Sequence, residues 1–200
     1  MFTQQPLKSW IVFLSTFPPQ KCGIATFTSD LAKSFNQLFA PAIESKIVAI
    51  NSDPAIIDQY PSNVVAYLRK YYIEDYIKIA EKINAAPQIK LVSIQHEFGI
   101  FGGNYGDYLL HFTSALKKLL IITFHTVLPD PPPEMKQVVQ ALAKSAQQIT
   151  TMTQTSKKSW SQSMQSHPSK LLLFHMEFIQ PFLNQVIKRK KFLDYQLTKQ

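Results

Sequence analysis

The sequence predicts an α/β fold in which helices cover both faces of an open parallel sheet. Short apolar runs typical of buried strands alternate along the chain with longer segments of helical periodicity. No hairpin signal joins two of the apolar runs. Strands that are joined through helices form a parallel sheet by right-handed crossovers.

The first half of the chain supplies strands and helices with clear ends. Tandem prolines at 18 and 19 end the first apolar run, because proline cannot donate to a strand ladder. Pro41 and Pro87 close the two helices. The predicted strands are 10–15, 46–50 and 89–94, with 64–68 as a further candidate, and the predicted helices are 24–39 and 74–85.

The second half continues the alternation. A helix predicted over 107–120 leads to a buried strand at 119–124, and a stiff proline-rich break at 130–133 precedes the next helix. The remaining predicted elements are a helix at 134–146, a weaker strand at 148–152, a short helix at 156–164 and a last strand at 170–174.

Length and composition fit one globular domain. The chain has 200 residues, of which 46% are hydrophobic and 17% charged, so it can bury a core and is not compositionally disordered. The net charge of +8 suggests an anionic partner. However, residues 176–200 contribute +3 through five basic and two acidic residues, and the remaining charge forms no long cluster. The aromatic residues are not interleaved with a basic stripe, so nucleic-acid binding is not expected.

The cysteine content and the apolar runs predict a cytoplasmic protein. Cys22 is the single cysteine, which excludes an internal disulfide and fits a reducing compartment. The N-terminus has no pattern of a secretory signal, and no apolar run approaches the roughly 18 residues that cross a bilayer.

One glycine-rich stretch, residues 95–107, is the leading candidate for a ligand loop. It contains four of the five glycines in the chain, and glycine suits positions where the backbone takes left-handed dihedrals or approaches another group closely. A strand precedes it and a helix follows it, which is how an open α/β sheet forms a ligand crevice at its carboxyl edge. The alternative is an ordinary crossover loop.

Three polar loops, at 16–23, 95–106 and 125–130, follow predicted strands and should emerge at the same edge of the sheet. Gly23 precedes a helix whose free amides could bind an anion. His96 with Glu97 and His125 with Thr126 could face the same crevice. The alternatives are a turn glycine at Gly23, a helix-capping or loop-bracing pair at 96–97 and a core histidine at 125.

The sequence excludes several more specific catalytic and binding motifs. His96 and Glu97 do not form a zinc-protease box, because no histidine follows at the required spacing. The sequence has no Walker phosphate loop and no nucleophile elbow. No residues indicate a metal site. Cys22 precedes a predicted helix start, which favours a thiolate, but no partner base is apparent, and an unreactive small residue is the preferred interpretation.

Three segments in order, 15–27, 92–103 and 123–129, resemble the signatures of a subgroup of family 4 (group 1) glycosyltransferases. These are retaining enzymes of GT-B architecture, in which two Rossmann-like domains face each other across a cleft. The resemblance covers about residues 8–175. It implies that residues 1–175 are the N-terminal, acceptor-side Rossmann-like domain.

The resemblance also implies roles for individual residues. His125 would be the catalytic residue, lying beside the transferred sugar and acting by hydrogen bonding rather than as a nucleophile. The donor would be a nucleotide-sugar, with no cofactor and no metal. Asn104 stands where the family pattern has an acidic residue, which leaves the fine acceptor contacts open. The other residues implied to face donor or acceptor are Lys21, Cys22, Gly23, His96, Glu97, Gly99, Gly102, Gly103 and Thr126.

The end of the sequence departs from the family pattern. Where the family has a His-Gly-Ile or His-Gly-Val turn, this chain has His175 followed by Met176, Glu177 and Phe178. Any codons for Met-Glu-Phe encode Gly-Ile or Gly-Val in a shifted frame. Our hypothesis is that residues 176–200 are a basic, out-of-frame tail and that the chain is truncated before the C-terminal domain.

The expected partners follow from this hypothesis. The chain should bind a sugar or glycan acceptor, should need a missing C-terminal domain or separate chain for transfer, and should tend to self-associate. Without the donor-binding half it is not expected to be active alone. The alternative is a non-catalytic binding or interaction module for a sugar or phosphate ligand.

Overall fold

Seven parallel strands form one open sheet in the computed structural model, which describes residues 8–164 and 171–173. The strand order is β3-β2-β1-β4-β5-β6-β7, so the order reverses between β1 and β4. The strands are β1 Ser9–Ser15, β2 Ile43–Asn51, β3 Val64–Arg69, β4 Ile89–His96, β5 Leu119–Phe124, β6 Gln148–Thr151 and β7 Leu171–Leu173. The predicted fold class is confirmed.

Helical segments connect the strands, as the sequence predicts. The α-helices are α1 Gly23–Phe39, α2 Ile73–Ala85, α3 Leu109–Ala115, α4 Pro133–Ser145 and α5 Gln154–Ser163. Short 3₁₀ helices at Pro54–Gln59 and Asn104–Gly106 complete the connections in the described part of the chain. The candidate strand at 64–68 is present as β3.

The sheet is covered on both faces by two separate apolar clusters. Helix α1 packs Leu31, Ala32 and Phe35 on one face, against β1 residues such as Phe13. The other four helices pack on the opposite face, around Val12, Ile94 and their neighbours. We call these the α1 face and the opposite face.

The alternation of side chains along β4 decides which residues reach which face. Leu91 belongs to the α1 cluster and Val92 to the opposite one. Because successive strand residues point to opposite faces, Gln95 continues the row of Leu91 and His96 continues the row of Val92. Two adjacent polar residues at the end of β4 are therefore on opposite sides of the sheet.

The helix predicted over 107–120 is wrong in length. Helix α3 ends at Ala115, and Leu116 already has extended backbone dihedrals. The cause is Asn84 of α2, whose amide donates to the Ala115 carbonyl at 2.8 Å and accepts from the Lys117 amide at 2.7 Å. This side chain takes over the hydrogen bonds that a further helical turn would make.

Two sequence predictions lie outside the described residues: the tail at 176–200 and the domain boundary at 175. Across the ranges that are described, no helix is both long and apolar enough to pass through a bilayer.

Phe35→Ala tests the packing of α1. The Phe35 side chain is fully buried and lies edge-on to Phe13 at a centroid distance of 6.0 Å. Its removal is expected to lower the free energy of unfolding by about 3–5 kcal/mol, measured by urea denaturation. Leu38→Ala is the matched control, because Leu38 on the same helix is 64% exposed and should change stability by less than about 0.5 kcal/mol. Equal effects of the two variants would contradict the packing of α1.

Candidate functional site

The three candidate loops leave strands that are immediate neighbours at the point where the strand order reverses. β4 pairs with β1 on one side and with β5 on the other. The carboxyl ends of all three strands therefore meet at one edge, and ligand crevices of open α/β sheets form at such a reversal.

The loop after β1 ends in a capped helix start. Helix α1 begins at Gly23, and Cys22 is its N-cap: the Cys22 Sγ accepts from the Ala25 amide at 3.4 Å and lies 3.2 Å from Thr16 Oγ1. This gives Cys22 a structural role that its sequence context did not reveal.

The surface in front of α1 is open. Lys21, Cys22 and Gly23 are exposed, and a Cβ added at Gly23 would meet no atom within 4 Å. A buried hydrogen bond of 2.8 Å between Ser15 and Thr28 holds the first turns of α1 against the end of β1. The remaining free amides of the helix start point toward this open space.

His125 lies at the end of β5, on the α1 face. Its Nε2 is 3.0 Å from Gln95 Oε1, and its ring meets Phe27 of α1 edge-on at 4.8 Å between centroids. Burial lowers the pKa of His125, an effect that the charge of Glu97 partly offsets. His125 is therefore a neutral, partly buried imidazole at neutral pH.

Glu97 braces the loops after β4 and β5 against each other. Its Oε2 accepts from Thr126 Oγ1 at 2.7 Å, and its Oε1 accepts from the Phe98 amide at 3.0 Å. The His125 amide also donates to the His96 carbonyl at 3.0 Å. One carboxylate oxygen of Glu97 thus joins the two loops, and the other fixes the side chain within its own loop.

The structure does not bring the His96 side chain to the crevice surface. His96 is fully buried on the opposite face, where its ring stacks on Phe101 at 5.6 Å and contacts Phe98 and Phe124. Neither ring nitrogen has a hydrogen-bond partner among the described residues. Burial lowers its pKa to about 3, and the proximity of His125 acts in the same direction. His96 is a neutral core histidine in this environment.

Two kinds of constraint explain the glycines that follow β4. Gly103 and Gly106 have φ values of 80° and 81°, which side-chain-bearing residues rarely adopt. Gly102 has a different reason, since a Cβ there would overlap the Lys70 carbonyl and the Tyr108 ring. Gly99 is exposed, has no unusual φ, and would have free space around a Cβ.

The glycine loop is fastened to the turn between β3 and α2. The Gly102 amide donates to the Tyr76 hydroxyl, which in turn donates to the Lys70 carbonyl, each at 2.9 Å. Lys70 Nζ donates to the Gly99 carbonyl at 2.7 Å. These bonds make the glycine loop and the residues after β3 one continuous wall, on which Asn104 is exposed.

Sequence reasoning missed several residues that organise the site. Gln95 and Ser93 support His125, Phe27 flanks its ring, and Tyr76 fastens the glycine loop. One signal was available: Ser93 and Gln95 are polar residues two positions apart in a mostly buried strand, which places both on one face.

The candidate site offers hydrogen-bonding groups and the dipole of a helix start. Over residues 8–164 and 171–173, no three His, Cys, Asp or Glu side chains are grouped so that they could hold a metal ion. The chemically useful groups are the His125 imidazole, the Thr126 hydroxyl and the α1 amides. Together they suit a ligand that has both hydroxyl and anionic parts.

The strand order and the crevice define a Rossmann-like α/β domain. The fold is similar to that of a solved glycosyltransferase from Rickettsia africae ESF-5, with a TM-score of 0.55 and 14% sequence identity. The similarity covers 82% of this chain and 42% of that one, so the chain spans less than half of its structural neighbour. No protein-family model and no curated protein matches the sequence. At this identity the likeness shows a glycosyltransferase-like fold.

Gly103→Ala tests the glycine loop. The backbone of Gly103 at φ 80° and ψ −167° is a conformation that is costly for any residue with a Cβ, and the added methyl would overlap Asp107 and Tyr108. We expect a loss of about 1–3 kcal/mol in the free energy of unfolding. Gly99→Ala is the matched control and should leave stability nearly unchanged, since its Cβ meets open space. A greater loss of stability in Gly99→Ala than in Gly103→Ala would contradict this arrangement of the loop.

His96→Leu tests the neutral state of the buried histidine. Unfolded His96 binds a proton below its ordinary pKa near 6.5, whereas folded His96 stays neutral down to about 3. The contribution of His96 to the free energy of unfolding is therefore fully present above pH 6.5. It falls by about 1.4 kcal/mol per pH unit as the pH drops from 6.5 toward 3.

The measurement is urea denaturation of the wild-type and His96→Leu proteins between pH 4 and 8. The variant loses no hydrogen bond, should be about as stable as the wild type at pH 8, and should show a shallower decline in acid. Identical pH slopes for the two proteins would show that His96 titrates normally in the fold.

Proposed function

We propose that this chain is the N-terminal, acceptor-side domain of a family 4 (group 1) glycosyltransferase of GT-B architecture. Such an enzyme transfers a glycosyl group from a nucleotide-sugar donor to a sugar or glycan acceptor. The observation that carries the proposal is the convergence of the three signature-like segments on adjacent strands β1, β4 and β5. The glycosyltransferase-like fold supports it.

The proposed roles follow the geometry of the loops. The open surface around Lys21, Cys22 and Gly23 faces the donor phosphates, with the α1 amides and dipole favouring negative charge. His125 hydrogen-bonds a sugar hydroxyl, and Thr126 lies beside it. The wall that contains Gly99, Gly102 and Gly103 bounds the acceptor side. Glu97 holds the loops together, and His96 supports the wall from the core.

The proposed half-site does not complete the reaction. Retaining transfer requires stabilisation of a diphosphate leaving group and of an oxocarbenium-like centre, which preorganised charged groups supply. The proposal assigns these groups to a donor-binding domain outside residues 1–175, supplied by a further part of the protein or by a separate chain. The nucleotide-sugar is a co-substrate, no metal is required, and the reaction is proposed to take place in the cytoplasm.

The edge of the sheet that would meet the second domain carries exposed aromatic residues. Tyr71 and Tyr72 are 65% and 51% exposed and directly follow the carboxyl end of β3, beside the glycine loop. Exposed apolar patches mark interaction surfaces. In the absence of a donor-binding domain, we propose that this edge drives self-association of the chain.

The proposal is tested by amide chemical-shift mapping with a panel of saccharides and nucleotide-sugars. Saccharides should perturb residues around His125, and nucleotide-sugars should perturb residues around Gly23, without turnover. His125→Ala should weaken saccharide binding several-fold, whereas His111→Ala, an exposed histidine on α3, should not.

Three other outcomes would contradict the proposal. Turnover by the isolated chain would show that no second domain is needed. Phosphate binding alone would favour a non-catalytic binding module, and steeply salt-dependent binding of nucleic acid would favour a different class of protein.

A further inference from the structure

The free side of β3 carries an open groove that the candidate crevice does not use. β3 pairs with β2 and ends the described sheet, so no described strand lies on its other side. The groove along that side has a volume of about 490 Å³ and is lined by residues of β3, of helix α2 and of the segment around the 3₁₀ helix Pro54–Gln59. We call it the β3 groove. The lining residues used below are Ile57, Tyr60, Val65, Tyr67, Lys78 and Lys82.

Main-chain groups of β3 point into this groove. The Lys70 amide donates to the Asn51 carbonyl of β2 at 2.9 Å, and the direction of main-chain groups alternates along a strand. Arg69 and Tyr67 therefore direct their amides away from β2. The Arg69 amide confirms this direction, because it donates to the Asp75 carboxylate of α2 at 3.1 Å. The Tyr67 amide has no such side-chain acceptor among the described residues.

The side chains at this edge leave it open to a partner. Edge strands of soluble proteins are normally shielded by charged residues, by proline or by a covering element. Val65 and Tyr67 are instead 44% and 41% exposed. The carboxyl end of the strand is closed, since Arg69 Nε and Nη2 donate to Asp75 at 2.7 and 2.8 Å. The β3 groove is thus accessible along the strand up to this ion pair.

The charges around the β3 groove favour an acidic partner. Arg69 and Asp75 neutralise each other in their ion pair. Lys78 and Lys82 also line the groove, are exposed, and take part in no ion pair of the described residues. The other two carboxylates of α2 do not line the groove. Two positive charges without a partner therefore remain beside the strand edge.

We propose that the β3 groove binds an extended acidic peptide segment of a partner protein, which adds to the sheet as a further strand beside β3. A peptide backbone supplies the alternating donors and acceptors that an open strand edge requires, and a nucleic acid or a lipid headgroup does not. A second copy of this chain would bring its own lysines toward Lys78 and Lys82, where like charges repel. The inference does not depend on the proposed function, because the groove contains none of the crevice residues.

The alternation of strand side chains also predicts the pattern of the peptide. Ala66 and Leu68 pack into the core on the opposite face, where α2 lies, so Tyr67 projects on the α1 face. An added strand places every second side chain on the side of Tyr67 and the others on the side of the α2 lysines. The peptide that fits best therefore alternates apolar and acidic residues.

The first test measures binding of an end-capped, fluorescent (Val-Glu)₃ peptide to the full chain by anisotropy. Lys78→Glu combined with Lys82→Glu should weaken binding about tenfold, because two attractive charges become repulsive. The matched control combines Lys144→Glu with Lys158→Glu, which reverses two exposed charges on α4 and α5 and should change affinity less than about twofold. Equal losses in the two double variants, or no binding to the wild-type chain, would overturn the inference.

Alternate N-methylation of the peptide tests the addition of a strand. The methyl groups are placed either on every valine nitrogen or on every glutamate nitrogen. Since alternate amides of a strand face its neighbour, one of the two sets should abolish binding and the other should retain it. Equal effects of the two sets would show that the peptide binds by charge without strand pairing, and the inference would fail.

Hydrogen exchange of the backbone amides locates the bound peptide. The Tyr67 amide should exchange at least about tenfold more slowly at saturation, which corresponds to one added hydrogen bond. The Leu68 amide, which faces β2, should change little. Protection of Tyr67 by phosphatidylglycerol vesicles or by self-association, without protection by the peptide, would assign the groove to a different occupant and contradict the proposal.

Discussion

The parallel pairing of β4 with both β1 and β5 is the constraint on which the rest of the site depends. It is set by three mostly apolar strands whose residues are buried on both faces of the sheet, which lets them lie in its middle. Because the three strands run in the same direction, every polar group at their carboxyl ends is delivered to one edge. The loops contribute the details of the crevice, but the pairing determines its position.

The buried polar side chains at the carboxyl end of the sheet differ in hydrogen bonding between its two faces. On the α1 face, Ser15 bonds Thr28 and Gln95 bonds both Ser93 and His125, so the buried polar atoms satisfy one another. On the opposite face, the His96 ring lies among phenylalanines, and its nitrogens have no hydrogen-bond partner in the described part of the chain. A satisfied polar network specifies a unique arrangement. An unsatisfied buried imidazole is tolerated because it remains uncharged.

The strands and most helices could be predicted from sequence because each has a strong local pattern, as in the apolar run of β1. The end of α3 could not, since it is set by Asn84, some thirty residues earlier in the chain. For the candidate site, the sequence predicted which three loops meet at one edge of the sheet, and these loops do leave adjacent strands. The different environments of His96 and His125 depend on strand parity and on which helices lie on each face, and residue type alone carries no such information.

The fastening of the glycine loop to the residues after β3 has a consequence for how this crevice could diversify. Where Gly102 meets the Lys70 carbonyl, two backbones are in contact and no side chain fits between them. The contour of that wall is thus fixed by main-chain geometry and changes little with surrounding residues. Gly99 lies three residues earlier in the chain and is open to solvent. A side chain can be introduced there without moving the wall. A substitution at Gly99 can therefore change which ligands the crevice binds with the least effect on stability.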